Sequence, residues 1–261
     1  MRRILVLVTT GVVLLVAAAS AYAALNTYTA KLAFTSKKAG TAKKPVATGY
    51  TEDLKASSTA SGNRTAVLLD IKTSIYGMKA NTKGLPVCTA TQIAAAKNDT
   101  MCPKGAKLAT GYITATVGSV KDFTAAGAPC DPGLDVWNSG GGKLTFFFVE
   151  QAAHNCNALG LKTGSTGPYP GTEKQVGKNL VVDVPIPAFV SFPLPGLAGS
   201  LETEHLVWAK SSKTTAGKTQ AVLSSVGCQG SSRPYSVAFT ATLPTAGPAK
   251  ETKSVSAKAP C

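Results

Sequence analysis

The 261-residue sequence contains only two histidines, His154 and His205, and this scarcity narrows the chemistry open to it. Catalysis by a serine or cysteine nucleophile needs a base, usually histidine, beside the nucleophile. No G-x-S-x-G motif occurs, and His205 lies in an alternating strand pattern typical of a half-exposed residue. No C-x-x-C motif occurs either, which leaves a zinc site without support. We therefore expect no hydrolase of this type, no bound metal and no cofactor.

Acidic residues and arginine are also scarce. Lysine and arginine together number 27 against 13 acidic residues, so the net charge is +14. Beyond residue 3 the only arginines are Arg64 and Arg233, and lysine carries almost all of the positive charge. Arginine is the usual residue for bidentate recognition of phosphates and bases, whereas lysine acts as a point charge. This composition speaks against sequence-specific nucleic-acid binding.

Residues 1–23 have the pattern of a signal peptide. Arg2 and Arg3 precede an apolar run over residues 4–19, and an A-x-A cleavage site follows at 21–23. The run is short for a membrane span and has no charged flank behind it. We therefore expect a secreted, extracellular protein that begins at Ala24, has a net charge of +12 after loss of the two arginines, and is not stably inserted in a membrane.

Two lysine runs, at 37–44 and 210–218, fall in predicted loops. Exposed lysines of this kind favour weak, salt-sensitive attraction to anionic cell-envelope polymers or acidic glycans, and hence an association with the cell wall. The alternative is that they only keep an exported protein soluble. The sequence leaves both interpretations open.

All six cysteines lie behind the leader, and an even number in an exported chain predicts disulfides. Loop length favours Cys88–Cys102, because closing about fifteen residues stabilises the fold by about 3 kcal/mol. The last residue, Cys261, is expected to pair with Cys228 and anchor the last strand. The pair Cys130–Cys156 then follows by elimination.

The remaining pattern predicts an all-β fold, a single β-sandwich or jelly-roll-like domain over residues 24–261. About ten segments alternate between apolar and polar residues, as in 25–36 and 107–120, and glycines 140–142 mark a hairpin. One short disulfide-tied helix is expected near 92–97, capped by Thr89 or Thr91.

Three other segments have less regular patterns. Residues 160–177 are rich in Gly, Pro and Thr and are predicted to form a long loop. Residues 180–192 resemble a strand, which Pro185 and Pro187 would confine to a sheet edge. The tail that leads to Cys261 is polar and rich in lysine.

The carboxylates Glu202 and Glu204 are the candidate catalytic pair. In a regular strand they would face the same side, about 7 Å apart, within the range used by glycosidases. The simpler interpretation is that both are solvated. Asp131 and Asp135 could contribute to a calcium site, but two carboxylates fall far short of a coordination shell. Five aromatic residues could stack on sugars: Tyr50, Tyr76, Trp137, Tyr169 and Trp208.

The order GLPVC, short helix, CPKGAKLATGYITA, and the ending SVGCQGSSRPYSVAFTATL with Cys261, resembles a group of uncharacterised secreted proteins of high-GC Gram-positive bacteria. The resemblance covers most of residues 25–261. Its motifs are cysteines and turns, so it implies an exported β domain and no activity.

Two function classes remain. The lack of a nucleophile motif favours an exported, non-enzymatic surface or binding protein whose ligand the sequence does not identify. The alternative is a carbohydrate-active enzyme or carbohydrate-binding module that uses Glu202, Glu204 and nearby aromatic residues.

Overall fold

The computed structural model describes residues 25–160, 167–215, 218–246 and 250–261. The predicted leader and part of the predicted 160–177 loop lie outside these residues. The strands are β1 Asn26–Phe34, β2 Val46–Ala47, β3 Tyr50–Ser58, β4 Val67–Tyr76, β5 Met78–Ala80, β6 Lys107–Ser119, β7 Ala128–Pro129, β8 Gly133–Gly140, β9 Lys143–Val149, β10 Tyr169–Val176, β11 Asn179–Pro185, β12 Leu197–Trp208, β13 Ser212–Thr215, β14 Lys218–Ala221, β15 Leu223–Ser225, β16 Ser232–Thr242 and β17 Lys250–Pro260. The helices are α1 Ala90–Ala96 and α2 Ala188–Ser191, and short 3-10 turns occur at Lys104–Ala106, Asn157–Leu159 and Pro244–Ala246.

Most strands belong to one large antiparallel sheet. Its order is β1-β3-β12-β6-β8-β9-β10-β11-β4-β16-β17, and β7 pairs with β6. The two edge strands approach each other, since the Leu25 amide donates to Glu251 Oε2 at 2.5 Å and the rings of Tyr28 and Phe239 stack at 4.3 Å. The predicted all-β fold is confirmed, and the two layers of the sandwich are parts of a single sheet that nearly closes on itself.

The strand alternation places the core inside this sheet. In β16, for example, residues 233, 235, 237, 239 and 241 are buried and their neighbours are half-buried. Strands β2, β15 and β5 form a small separate sheet, and β13 and β14 form a hairpin. The three-stranded sheet packs Met78 and Leu223 into the main core, and both small units border a surface cleft described below.

The predicted helix is present over Ala90–Ala96, between Cys88 and Cys102. Thr89 caps it, and the Gln92 side chain completes a capping box by accepting from the Thr89 amide. Ile93 buries its side chain against Trp137 and Phe147 on the outer face of the main sheet. The disulfide therefore holds a short helix over a second, smaller apolar cluster.

The disulfides are Cys88–Cys102, Cys130–Cys156 and Cys228–Cys261, with Cα–Cα distances of 5.5, 4.1 and 6.3 Å. They are the pairs that the sequence predicts. Cys228–Cys261 joins the ends of β16 and β17, and Cys130–Cys156 ties the segment after β7 to the loop after β9. Three disulfides are typical of an oxidising compartment. Within the described ranges, no helix is both long and apolar enough to cross a membrane.

Two expectations for the second half of the chain are wrong, and the structure of the polar tail was not predicted. Residues 169–176 form β10 and pair with both β9 and β11. The segment 180–192 ends as a strand at Pro185 and continues into α2, and β11 lies inside the sheet between β10 and β4. The polar tail is β17, which pairs with β16 along its whole length and packs Val255 and Ala257 against the core.

The two arginines of the described chain are both buried. Arg64 connects the loop after β6 to β12 through four backbone carbonyl oxygens and one hydroxyl: those of Ser119, Asp122, Ala125 and Ala198, and Ser200 Oγ. Its guanidinium also lies 4.5 Å from the Phe123 ring centroid. Arg233 is 0% exposed, lies 4.3 Å from the Phe34 ring centroid and donates to Ser225 Oγ. Arginine is therefore used inside the protein, and lysine outside.

Replacing Arg64 with lysine should destabilise the fold although the charge is kept. A lysine cannot reproduce the planar fork, so several buried carbonyl oxygens lose their donors. We expect a loss of about 3 kcal/mol in the free energy of unfolding, measured by denaturant titration. The reverse exchange at the exposed Lys55, Lys55→Arg, is the control and should change it by less than about 0.5 kcal/mol. An Arg64→Lys variant as stable as the control would contradict this role.

Candidate functional site

A β-bulge in β12 decides which of its side chains face the interior. Its pairing with β6 shifts between Leu201 and Thr203, so Glu202 has no partner in the ladder. Before the bulge Leu201 lines the interior, and after it Glu204 and Leu206 do. Glu202 is exposed. The two glutamates therefore do not share one side of a regular strand, as the sequence suggested.

Glu204 lies in an interior cavity between the two layers of the sheet. One chamber of about 80 Å³ is lined mainly by apolar side chains, including Ile113, Phe148 and Leu201. An adjacent chamber of about 20 Å³ is lined in part by Glu52 and Trp208. Glu204 lines both chambers and so lies where they meet.

Glu52 is buried and hydrogen-bonded. Thr73 Oγ1 donates to its Oε1 at 2.6 Å, and Trp208 Nε1 donates to its Oε2 at 3.2 Å. Burial raises the pKa of Glu52, and these two hydrogen bonds lower it in part. Trp208 also stacks on Tyr50, with ring centroids 5.5 Å apart. Two hydrogen bonds from the chain thus stabilise the Glu52 carboxyl within the core.

The carboxyl of Glu204, in contrast, forms no hydrogen bond within the part of the chain that the structure describes. Burial raises the pKa of its carboxyl from 4.5 to about 8, and repulsion from Glu52 adds to the shift. A carboxyl with this pKa carries its proton through much of the neutral range. The arrangement provides one protonatable group at the wall of an apolar chamber.

The five aromatic residues that could stack on sugars lie in different environments. Tyr50, Tyr169 and Trp208 belong to the buried core around the cavity. Trp137 lies under α1, where its Nε1 donates to Asp99 Oδ2 at 3.2 Å. Tyr76 is half-buried and lines a surface cleft. Of the five, Tyr76 has the position required to meet a large external ligand.

This surface cleft has a volume of about 1040 Å³ and is basic. Its floor includes Lys79 of β5 and Lys178 of the β10–β11 turn. One wall comes from the loop that contains Ala42 and Pro45, and the other from the β13–β14 hairpin. Among the described residues that line the cleft, none is acidic. The segments that carry the two lysine runs thus contribute to opposite walls, through Ala42 on one side and Ser212 on the other.

A second depression of about 500 Å³ continues the cleft and shares Lys79, Asn81 and Gln175 with it. It adds Lys83 and Lys174 to the basic surface. Glu173, the one acidic residue among the described residues that line it, is buried and accepts from Thr82 Oγ1 at 2.5 Å. Lysine ammonium groups and side-chain amides are therefore the polar groups that face outward along both depressions.

The hairpin wall is tied to the cleft floor through Asn81. Its Nδ2 donates to Gln220 Oε1 at 2.9 Å, and Lys213 Nζ donates to its Oδ1 at 3.3 Å. Lys213 also donates to the carbonyl oxygen of Lys83. These contacts fix the position of the hairpin wall relative to the floor of the cleft.

The two histidines, distant in sequence, lie close together on the outer face of the sheet. Both rings stack on Tyr112, with centroid distances of 4.0 Å for His154 and 5.3 Å for His205. His205 Nδ1 lies 2.6 Å from Asp53 Oδ1. All six cysteines are in disulfides, so no thiol is free to join this group as a nucleophile.

The aspartates considered for calcium have partners within the fold. Asp131 Oδ1 accepts from the Ala115 amide at 3.0 Å. Asp135 is buried and forms an ion pair with Lys107 at 2.5 Å. In the described parts of the chain, no group of three or more His, Cys, Asp or Glu side chains has an arrangement that could hold a metal ion.

Sequence reasoning missed the bulge and the cleft for different reasons. Leu201 and Leu206 are five residues apart, and a regular strand cannot turn both inward because its period is two. That odd spacing was the available signal for the bulge. The cleft combines segments near residues 42, 79, 178 and 220, which are brought together only by long-range pairing.

Comparison with known proteins identifies no relative: no family model, curated protein or solved structure matches this chain.

Replacing Glu204 with glutamine should change how stability depends on pH. Because the folded protein holds this proton more tightly than the unfolded chain, Glu204 lowers the free energy of unfolding as pH rises from 4.5 towards about 8. Glutamine removes this effect. The advantage of Glu204→Gln over the unmodified protein should therefore grow by up to about 1.4 kcal/mol per pH unit in this range.

Urea titrations at several pH values measure this difference. The matched control is Glu202→Gln, two residues away on the same strand but exposed to solvent. Its difference from the unmodified protein should stay nearly constant with pH. Equal pH profiles for the two variants would contradict the interior position assigned to Glu204.

Proposed function

We propose that the protein is an exported, non-enzymatic binding protein that holds anionic polymers of the cell envelope, such as acidic glycans, in its basic cleft. The observation that carries the proposal is a floor that contains Lys79 and Lys178, between walls formed by the loop around Ala42 and by the β13–β14 hairpin. A polyanion in this cleft could contact several ammonium groups together. Such contacts are individually weak and become useful in number.

The uncharged lining supports a glycan in particular. Gln220 Nε2 and Gln175 Oε1 form no hydrogen bond within the described residues, so they offer a donor and an acceptor to sugar hydroxyls. Tyr76 contributes a ring beside them. A lysine floor with amide and tyrosine groups suits a chain that bears both hydroxyls and negative charges.

Export is part of the proposal. The leader pattern at residues 1–23 and the three disulfides support an oxidising, extracellular location. The resemblance to secreted proteins of Gram-positive bacteria points the same way. In that location a cell wall is the nearest abundant polyanion, and the protein would associate with it.

The alternative, a carbohydrate-active enzyme that uses Glu202 and Glu204, has less geometric support. A glycosidase pair must flank one scissile bond. Here Glu202 is exposed beside the bulge, while Glu204 lines an interior chamber of about 80 Å³, too small for a sugar ring with its hydroxyls. Assay of the Glu202→Gln, Glu204→Gln double variant on cell-wall glycans remains the direct test of this alternative.

The binding proposal predicts a site-specific, salt-sensitive interaction with purified Gram-positive cell walls. The variant Lys79→Gln, Lys178→Gln removes two charges from the floor. At about 0.5 kcal/mol for each lysine, we expect about fivefold weaker binding at low salt. Binding of the unmodified protein should largely disappear at about 0.5 M salt, where exposed charges are screened over a few ångströms.

The control variant Lys55→Gln, Lys121→Gln makes the same change in net charge at two exposed lysines outside the cleft. It should bind within about twofold of the unmodified protein, since only long-range attraction is reduced. Equal losses in both double variants would mean that net charge alone acts and that the cleft is not the site. Absence of binding at low salt would overturn the proposed function itself.

A further inference from the structure

The interior cavity contains the carboxyl of Glu204, which accepts no hydrogen bond from the described residues. Its larger chamber is lined by apolar side chains from four strands and from the segment around α2, including Ile71, Ile113, Ile186 and Leu201. The polar side chains among them are Ser191, Tyr169 and Glu204. The Ser191 hydroxyl already donates to the Leu68 carbonyl oxygen at 2.9 Å.

The half-buried carboxyl of Glu204 differs from the buried carboxyls of Glu52 and Glu173 in having no donor from the described chain. Glu52 accepts from Thr73 and Trp208, and Glu173 accepts from Thr82. Within the described residues, no side chain or backbone group donates to Glu204. A half-buried carboxyl at the wall of an apolar chamber, without a donor from the described chain, is free to accept a hydrogen bond from a ligand.

The lining also indicates the charge of a suitable ligand. Glu52 and Glu204 border the same small space, which becomes favourable for a positive group once Glu204 has released its proton. Phe146 and Phe148 each pack beside Tyr169, with ring centroids 5.4 and 5.5 Å apart, so aromatic rings lie next to the carboxyls. Carboxylates and aromatic faces together are the surroundings that stabilise an ammonium group.

Cavity size limits the rest of the molecule. The two chambers measure about 80 and about 20 Å³ and share Ile71, Tyr169, Ile186 and Glu204. An apolar cavity of about 150 Å³ accommodates benzene, with six heavy atoms. A space of this size therefore suits four or five heavy atoms, that is, a short branched alkyl group with one nitrogen.

We propose that the interior cavity is a binding site for a small alkylamine, with Glu204 as the partner of the ammonium group and the apolar chamber as the receptor for its alkyl body. This site is independent of the basic cleft, and no residue that lines the larger chamber lines either part of the cleft.

The test is an NMR titration of the full mature protein, labelled at isoleucine methyl groups, with isobutylamine at about pH 9, where Glu204 is largely ionised and the amine is still largely protonated. The methyl signals of Ile71, Ile113 and Ile186 should shift and saturate, because all three side chains line the chamber. Isobutanol is the matched neutral probe, with nearly the same shape. It should bind more weakly than the amine in the unmodified protein.

Two variants separate the carboxyl from the cavity. Glu204→Gln should weaken amine binding at least tenfold and leave isobutanol binding within about twofold, because only the ion pair is lost. Glu202→Gln, the exposed neighbour, should bind both probes as the unmodified protein does. Ala115→Leu fills the larger chamber with the carboxyl intact and should remove the binding of both probes.

The spectra of each variant report whether it is folded before probe is added. If Glu204→Gln does not fold, Ala115→Leu still tests whether the larger chamber binds the two probes. The proposal is overturned if the three methyl signals do not saturate, if they shift equally with Glu204→Gln, or if Ala115→Leu binds normally. Cell-wall binding should be unchanged in Glu204→Gln, so failure here and failure of the cleft proposal are distinguishable.

Discussion

The register of β12 between β3 and β6 is the constraint on which the interior of this protein depends. With the bulge at Glu202, residues of odd number face inward before it and residues of even number after it, so Leu201, Glu204, Leu206 and Trp208 all line the core. A slip of one residue turns every side chain of a strand to the opposite face. Without the bulge, Glu204 would face solvent as Glu202 does. The cavity would then lose the carboxyl that accepts no hydrogen bond from the described residues.

The two kinds of basic residue occupy different parts of the protein. The two arginines serve as buried connectors, Arg64 between a loop and β12 and Arg233 beneath Phe34, where a planar fork or an aromatic contact is needed. Lysines remain on the surface, and those of residues 37–44 are exposed beside the cleft. A diffuse lysine surface with a concentration around one cleft fits loose retention on a polyanion better than recognition of a particular sequence of groups.

Much of the fold could be predicted from local pattern. Alternation identifies β1, β4, β6 and β16, and the spacing of Cys88 and Cys102 identifies α1 between them. The features that the local pattern did not predict have physical causes. Strand β17 is polar because one of its faces meets solvent at the sheet edge, and only the alternation of Val255, Ala257 and Ala259 reveals it. Pro185 lies in an interior strand although its missing N–H favours an edge. The cleft depends on pairing between segments far apart in sequence, which no local pattern specifies.

The central claim is that the cleft, rather than the surface as a whole, meets an anionic polymer. Lysine acetylation with a water-soluble reagent, read by peptide mass spectrometry with and without soluble acidic wall polymer, tests it most directly. We expect the polymer to protect Lys79, Lys178 and the lysines of residues 37–44, and to leave Lys55 and Lys121 as reactive as before. Uniform protection of all these lysines, or protection of none, would contradict the account.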